Sequence, residues 1–127
     1  MNRHLAMGLT LLAGVAIGAT AIQGLHAQAK PPTYLVTAIR KINDADAYKS
    51  IVGKYPAAVK AAGGHYVIVT DKITALDGTP PARFVLITFD SVEQAQAFYN
   101  SAATKELNAI RVKATDSLSF IVEGVAN

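Results

Sequence analysis

Four short runs rich in β-branched and aromatic residues, separated by two segments of helical periodicity, constrain the fold of this chain more than any other feature. The runs span residues 33–40, 65–70, 83–89 and 118–123. Runs of this length and composition, bounded by turn residues, are typical of β-strands. The stretches that follow residues 43 and 90 repeat their apolar residues with the spacing of an α-helix. The pattern therefore predicts strands and helices that alternate along one short chain.

The first helical segment carries its own start, interruption and end signals. Its apolar face consists of Tyr48, Ile51, Val52, Tyr55, Val59 and Ala62. Asn43-Asp44 precedes the segment, and either side chain can accept hydrogen bonds from the free amides of a first helical turn. Pro56 removes one backbone donor, which predicts a kink or a restart. Gly63-Gly64 is expected to end the helix, because glycine tolerates a left-handed cap.

The second helical segment begins at Ser91, with Gln94 in the spacing of a capping box. Asn100-Ser101 is a candidate break, and residues 107–114 continue a helical face beyond it. Residues 73–76 are expected to extend the second strand or to form a short extra strand. The resulting order, β-α-β-β-α-β, predicts an α+β fold with one antiparallel sheet in the ferredoxin-like arrangement.

The first and third predicted strands are apolar on both faces. In the first strand, Tyr34, Val36 and Ala38 alternate with Leu35 and Ile39. One layer of helices covers only one face of a sheet, and a large exposed apolar face is rare on monomeric proteins. The sequence therefore predicts a homodimer whose sheets pack face to face.

The N-terminal residues 1–29 are not built like the rest of the chain. Arg3 is followed by an uncharged apolar stretch over residues 5–22, and the segment closes with Ala27-Gln28-Ala29. This layout is typical of a bacterial secretory signal peptide, so we expect cleavage after Ala29 and a periplasmic or secreted protein. An uncleaved N-terminal membrane anchor is the alternative, since the stretch is nearly long enough to span a bilayer. A buried core helix is a third interpretation.

Removal of this leader leaves 98 residues with a net charge of +2. Residues 30–32 form a short proline-containing linker, and residues 33–127 form the predicted domain. So small a charge, without a basic cluster, argues against a nucleic-acid partner. The chain contains no Cys, and His65 is its only histidine beyond the leader, so we predict neither a metal site nor a cofactor.

Four segments together resemble a known bacterial family. They read DADAY at 44–48, AAGGHY at 61–66, FDSVEQAQAFYNS at 89–101 and FIVEGV at 120–125. Their order is similar to that of the domain-of-unknown-function 1330 family, over nearly all of residues 33–126. The resemblance implies a ferredoxin-like domain that dimerises into an α/β barrel. It implies no catalytic residues, although the wider fold group includes cofactor-free monooxygenases, isomerases and haem-degrading enzymes.

Six residues are candidate ligand-binding groups: Tyr48, Tyr55, His65, Arg83, Tyr99 and Arg111. The three tyrosines lie on core faces of helices, where they could bring hydroxyls to a cavity or simply pack. Tyr66, in the second predicted strand, could also bring its hydroxyl to a cavity. His65 could act as a general base or be an ordinary residue at a strand end. Either arginine could hold a carboxylate by a two-point contact, or be solvated or ion-paired.

These observations leave three functions open. The leading hypothesis is an exported protein that binds a small, mostly apolar molecule in the dimeric barrel. The second is a cofactor-free oxygenase or isomerase that uses His65 or a tyrosine as its base. The third is a structural homodimer without a ligand. The sequence does not decide whether the protein is an enzyme.

Overall fold

The computed structural model describes residues 30–126 of the 127-residue chain, and residues 32–125 form one compact unit. The elements are β1 (Thr33–Ile42), α1 (Ala45–Val52), α2 (Tyr55–Ala61), β2 (His65–Thr70), β3 (Arg83–Phe89), α3 (Val92–Asn100), α4 (Ala102–Ala114) and β4 (Thr115–Glu123). The strands form one antiparallel sheet in the order β2-β3-β1-β4. This topology confirms the predicted ferredoxin-like α+β fold.

The first helical segment restarts, as its proline predicts. The Asp44 side chain caps α1 by accepting a hydrogen bond from the Ala47 amide at 3.0 Å, and α1 ends at Gly53. Pro56 lies in the first turn of α2, where its missing N–H would have no helical partner anyway. The segment therefore folds as two short helices.

The glycine pair after α2 serves two different purposes. Gly63 adopts a φ of 80°, a left-handed conformation that other residues adopt only with strain. Gly64 packs directly against the ring of Phe89. A Cβ at this position would lie only 2.7 Å from Cε1 of that ring, so a larger residue does not fit without a shift. The pair thus both ends the helix and allows β2 to lie close to the core.

Serine side chains delimit the second helical segment. The Ser91 hydroxyl accepts a hydrogen bond from the Gln94 amide at 3.0 Å, while Gln94 Oε1 accepts one from the Asp90 amide at 2.8 Å. Ser101 is both the C-cap residue of α3 and the N-cap residue of α4. The predicted break at Asn100-Ser101 is therefore confirmed, and β4 begins at Thr115 rather than at the predicted residue 118.

The prediction of additional strand structure at residues 73–76 is wrong, because this segment is a loop. β2 lies at the sheet edge and pairs only with β3, in a register that places Thr70 opposite Phe84. A longer β2 would bring Ile73 and Thr74 opposite Pro81 and Pro80. Proline has no amide to donate to a strand ladder, so the pairing ends before it reaches them.

The two faces of the sheet carry different apolar sets. Leu35 pairs with Ile87 and Ile121 on the face that the helices cover, whereas Val36 pairs with Leu86 and Phe120 on the opposite face. The helix side holds the buried core of Leu35, Val59, Ile87, Phe89, Ala95 and Phe98. On the opposite face, Ile68, Phe120 and Val122 are exposed. Both faces are therefore apolar, as the alternation of residues in β1 predicts.

The predicted signal peptide, residues 1–29, lies outside the described residues, and so does the choice between cleavage and anchoring. Within residues 30–126, no helix combines the length and the apolar character needed to cross a membrane.

Candidate functional site

A cavity of about 390 Å³ lies between the sheet and the helices. This volume falls within the range of small-molecule sites in proteins. Most of its walls are apolar, and a few polar side chains converge on it from both layers. The lining residues are Leu35, Thr37, Ile39, Tyr48, Val52, Tyr55, Pro56, Tyr66, Val69, Arg83, Val85, Ile87, Phe98, Tyr99, Asn108 and Arg111.

The sheet supplies its part of the cavity through strand alternation. Arg83 opens β3 and pairs with Ile39 of β1, while Val85 pairs with Thr37. Directly paired residues project to the same face of a sheet, and every second residue of a strand does so too. Arg83, Val85, Thr37 and Ile39 therefore share the helix side, and Arg83 carries its positive charge into the cavity.

The helix layer contributes the deepest polar group, Arg111 of α4, whose side chain is only 5% exposed. Its Nη1 donates to the Ser117 hydroxyl at 2.6 Å, and its Nη2 donates to the Tyr99 hydroxyl at 3.1 Å. Thr115 supports this geometry, because its hydroxyl lies 2.7 Å from the Arg111 carbonyl oxygen and 2.9 Å from Ser117 Oγ. The guanidinium is held in place by neutral oxygens.

Asn108 lies one helical turn before Arg111 and is 8% exposed. Its Oδ1 accepts a hydrogen bond from the Tyr55 hydroxyl at 2.8 Å. Its Nδ2 and the Nε of Arg83 are buried and have no hydrogen-bond partner within residues 30–126. Buried polar groups are nearly always paired in folded proteins, so these two donors distinguish the cavity from ordinary core.

The phenols around the cavity favour their neutral form. Burial raises the pKa of Tyr48, although the positive charges of Arg83 and Arg111 oppose the shift. Burial also raises the pKa of Tyr55, again against the charge of Arg111. The pKa of Tyr66 is raised by burial and by its two phenolic neighbours. At neutral pH these side chains therefore offer O–H groups rather than phenolates.

A family assignment agrees with this architecture. Residues 32–125 match the family described as Domain of unknown function (DUF1330). The chain belongs to this family. The predicted resemblance is thereby confirmed. No curated protein matches the DUF1330 chain with significant similarity.

Solved structures share the fold of this DUF1330 domain at low identity. A protein of unknown function from Rhodopseudomonas palustris superposes with a TM-score of 0.62 at 14% identity, covering 82% of this chain and 94% of its own. A cofactor-independent oxygenase from Streptomyces nogalater gives 0.53 at 10% identity, with 76% and 96% covered. A dimeric ferredoxin-like protein of unknown function from Thermobifida fusca gives 0.50 at 12%, with 74% and 92% covered. Identities this low establish the fold alone.

The structure brings five of the six sequence-predicted candidates together. Tyr48, Tyr55, Arg83, Tyr99 and Arg111 all line the cavity. His65 does not. It is exposed at the start of β2, where it pairs with Thr88, and its neighbour Tyr66 lines the cavity instead.

Sequence reasoning missed Asn108 as a site residue. Its spacing of three residues before Arg111 places both on one face of α4, and this signal was available in the sequence. Nothing in the sequence indicated that its amide would be buried without a partner. Among the described residues, no group of three or more His, Asp or Glu side chains could hold a metal ion.

Proposed function

We propose that this DUF1330 chain is a binding protein that takes a small, mostly apolar molecule into the cavity between its sheet and helices, and not into the interior of a dimeric barrel as expected from the sequence. The observation that carries the proposal is the cavity itself, which combines apolar walls with convergent polar groups. Ligand pockets have this composition, because apolar contacts supply affinity and a few polar groups fix orientation. Tyr48, Tyr55, Arg83, Tyr99 and Arg111 are the proposed polar contacts.

The side chains around the cavity favour binding over base-catalysed chemistry. Among the described lining residues there is no His, Asp, Glu, Lys or Cys. The phenols of Tyr48 and Tyr55 have raised pKa values because they are buried. A general base works best when its pKa lies near the operating pH, so a cofactor-free oxygenase or isomerase would need a substrate that is itself acidic. His65, the other proposed base, is outside the cavity.

We also propose that the mature protein is a homodimer in which a second copy covers the open sheet face. Ile68, Phe120 and Val122 are exposed on this face, and apolar patches of this kind mark protein interfaces. The Thermobifida fusca neighbour is described as dimeric, which supports the same arrangement here. Two copies packed by these faces would form the α/β barrel.

Export completes the proposal, since residues 1–29 have the layout of a cleavable signal peptide. The mature chain would then begin at Lys30 in the periplasm or outside the cell. An N-terminal membrane anchor remains the alternative.

Native mass spectrometry of the protein expressed from its full-length gene tests all three parts. We expect the subunit mass to equal that of a chain beginning at Lys30, and the native mass to be that of a dimer. We also expect additional small-molecule mass that is lost on denaturation. A subunit that begins at Met1 would contradict cleavage. A monomer would contradict the dimer, and a dimer that never carries added mass would favour the structural homodimer over the binding protein.

A matched pair of variants locates the interface in the same experiment. Phe120→Glu introduces a charge on the open face and is expected to produce monomers. Val112→Glu introduces the same charge at an exposed position of α4 and is expected to remain dimeric. Dimers of both variants would move the interface away from the open face.

A further inference from the structure

The cavity holds a positive charge that no carboxylate neutralises within residues 30–126. Arg111 is 5% exposed, and both of its hydrogen-bond partners, Ser117 and Tyr99, are neutral. The ion pair formed by the described side chains joins Arg40 to Asp116 at the surface, and residues 1–29 contain no Asp or Glu. A buried charge without a counter-ion is costly. A ligand that supplies the opposite charge would offset this cost.

Two further hydrogen-bond donors in the cavity wall also lack an acceptor among the described residues. Arg83 Nε and Asn108 Nδ2 are buried and unpaired in the described part of the chain, and both residues line the cavity. Asn108 is more than nine-tenths buried, and its Oδ1 is already engaged by Tyr55. Because Arg83, Asn108 and Arg111 all line this cavity, a negatively charged acceptor bound in it would offset the charge of Arg111 and offer a partner to the two unpaired donors.

The apolar part of the cavity wall indicates the chemistry of the rest of the ligand. Leu35, Ile39, Val85, Ile87 and Phe98 present hydrocarbon to the cavity. The lining acceptors among the described side chains are hydroxyls and the engaged Asn108 oxygen, so donors and positive charge are in excess. A volume of about 390 Å³ suits a molecule of one or two rings.

We infer that the ligand is a small organic anion with an apolar body and one ionised oxygen group, of which a carboxylate fits the donors best. Arg111 and Arg83 contact the negative oxygens, Asn108 donates to the same group, and the hydrocarbon part lies against β1 and β3. Arginine suits this role because its planar fork matches the two oxygens of a carboxylate. This inference rests on the proposed binding function, which it makes more specific.

Pairs of acids and their neutral amides provide the test. Benzoate, cinnamate and 2-naphthoate, each with its amide, are titrated into the mature dimer and followed by protein-detected NMR. Within a pair, the apolar body is constant and the charge changes. We expect each acid that binds to do so at least about tenfold more tightly than its amide, because charge-assisted hydrogen bonds are roughly twice as strong as neutral ones.

Two variants assign the preference to the cavity. Arg111→Gln removes the charge and keeps a polar side chain in the cavity wall, and Arg83→Met removes a charge whose Nε has no hydrogen-bond partner among the described residues. Each is expected to weaken acid binding more than amide binding and so to reduce the acid-over-amide ratio. Arg40→Gln is the matched control, because Arg40 is exposed, pairs with Asp116 and does not line the cavity. It is expected to keep the wild-type ratio.

The titrations distinguish failure of the proposed binding function from failure of the inferred anionic ligand. If neither acids nor amides bind below about 10 mM, a concentration at which specific affinity is negligible, the proposed binding function fails. If amides bind as tightly as acids, binding stands and the anion inference is overturned. If the acid preference survives in both cavity variants, the charge that selects the ligand lies elsewhere.

Discussion

At one end of the space between sheet and helices, the rings of Phe89 and Phe98 pack 5.3 Å apart, with Val59 and Ala95 against them. At the other end, the same two layers flank the cavity, with Arg83 and Arg111 in its walls and Phe98 at its border with the packed core. We call these the packed end and the hollow end. The packed end has the composition of a protein core, whereas the hollow end combines hydrocarbon with unpaired donors.

This difference indicates a division of labour within one fold. Protein interiors are normally packed as densely as organic crystals, because an empty space forfeits dispersion contacts along its walls. A domain selected only for stability would fill the hollow end with apolar side chains. Departures from good packing and polar pairing concentrate at functional sites. We therefore expect the packed end to contribute most of the stability, and the hollow end is the proposed binding site.

The largest expected effect comes from emptying the packed end. Phe89→Ala removes a ring that is 3% exposed and should lower the free energy of unfolding by about 3–5 kcal/mol, as measured by urea denaturation. Tyr48→Phe is the comparison at the hollow end. It removes only a hydroxyl from a half-buried side chain and should cost less than about 0.5 kcal/mol. Similar losses in both variants would contradict the division.

Overfilling the packed end should have a smaller effect. Gly64→Ala places a Cβ 2.7 Å from Phe89 Cε1, so the ring must shift, at a cost of about 1–3 kcal/mol. Gly53→Ala is the matched control, because a Cβ there meets nothing within 4 Å. Its stability should stay within about 0.5 kcal/mol of wild type. Thermal or chemical unfolding of the pair measures the difference, and equal losses would show that the Gly64 contact is not tight.

The smallest expected effect tests the hollow end through pH. Burial raises the pKa of Tyr55, so the folded state holds this proton more tightly than the unfolded state. The resulting stability is complete below the usual tyrosine pKa of about 10 and is lost as the pH rises through the folded-state value. Tyr55→Phe should cost about 1 kcal/mol at pH 7, because Asn108 Oδ1 loses its donor.

In the same variant, the decline in unfolding free energy above pH 10 should be shallower than in wild type. Denaturation curves recorded from pH 7 to about pH 11, which spans the usual tyrosine pKa of about 10, provide the measurement. If the free energy of unfolding declines equally in the two proteins above pH 10, Tyr55 does not contribute to the loss of stability at alkaline pH.

Local signals made the elements of this fold predictable. Asp44 and Ser91 mark helix starts because their side chains accept from amides only a few residues away, and Gly63 marks an end because of its own backbone freedom. The prediction of an extra strand at residues 73–76 was wrong because strand formation depends on pairing and not only on local sequence. Formation of this strand depended on Pro80 and Pro81, which a continued register with β3 would place opposite it, although they are not its neighbours along the chain.

The candidate site was predictable only in part. Helical spacing placed Tyr48 and Tyr55 on a buried face, and five of the six candidate residues do line one cavity. His65 and Tyr66 are adjacent residues of one strand, yet only Tyr66 lines the cavity. The pairing of β2 with β3, including a register shift between Tyr66 and Ile68, determines which of them faces the helices.

The sequence by itself determined the order of strands and helices, their caps and breaks, and the apolar character of both sheet faces. These features depend on backbone sterics and on hydrogen bonds between residues close along the chain. Only the tertiary structure decided that the helices leave one end of the sheet unfilled, and that Arg83, Asn108 and Arg111 line the same cavity there. Cavities and unpaired donors arise from the spacing of elements distant in sequence, which no local pattern encodes.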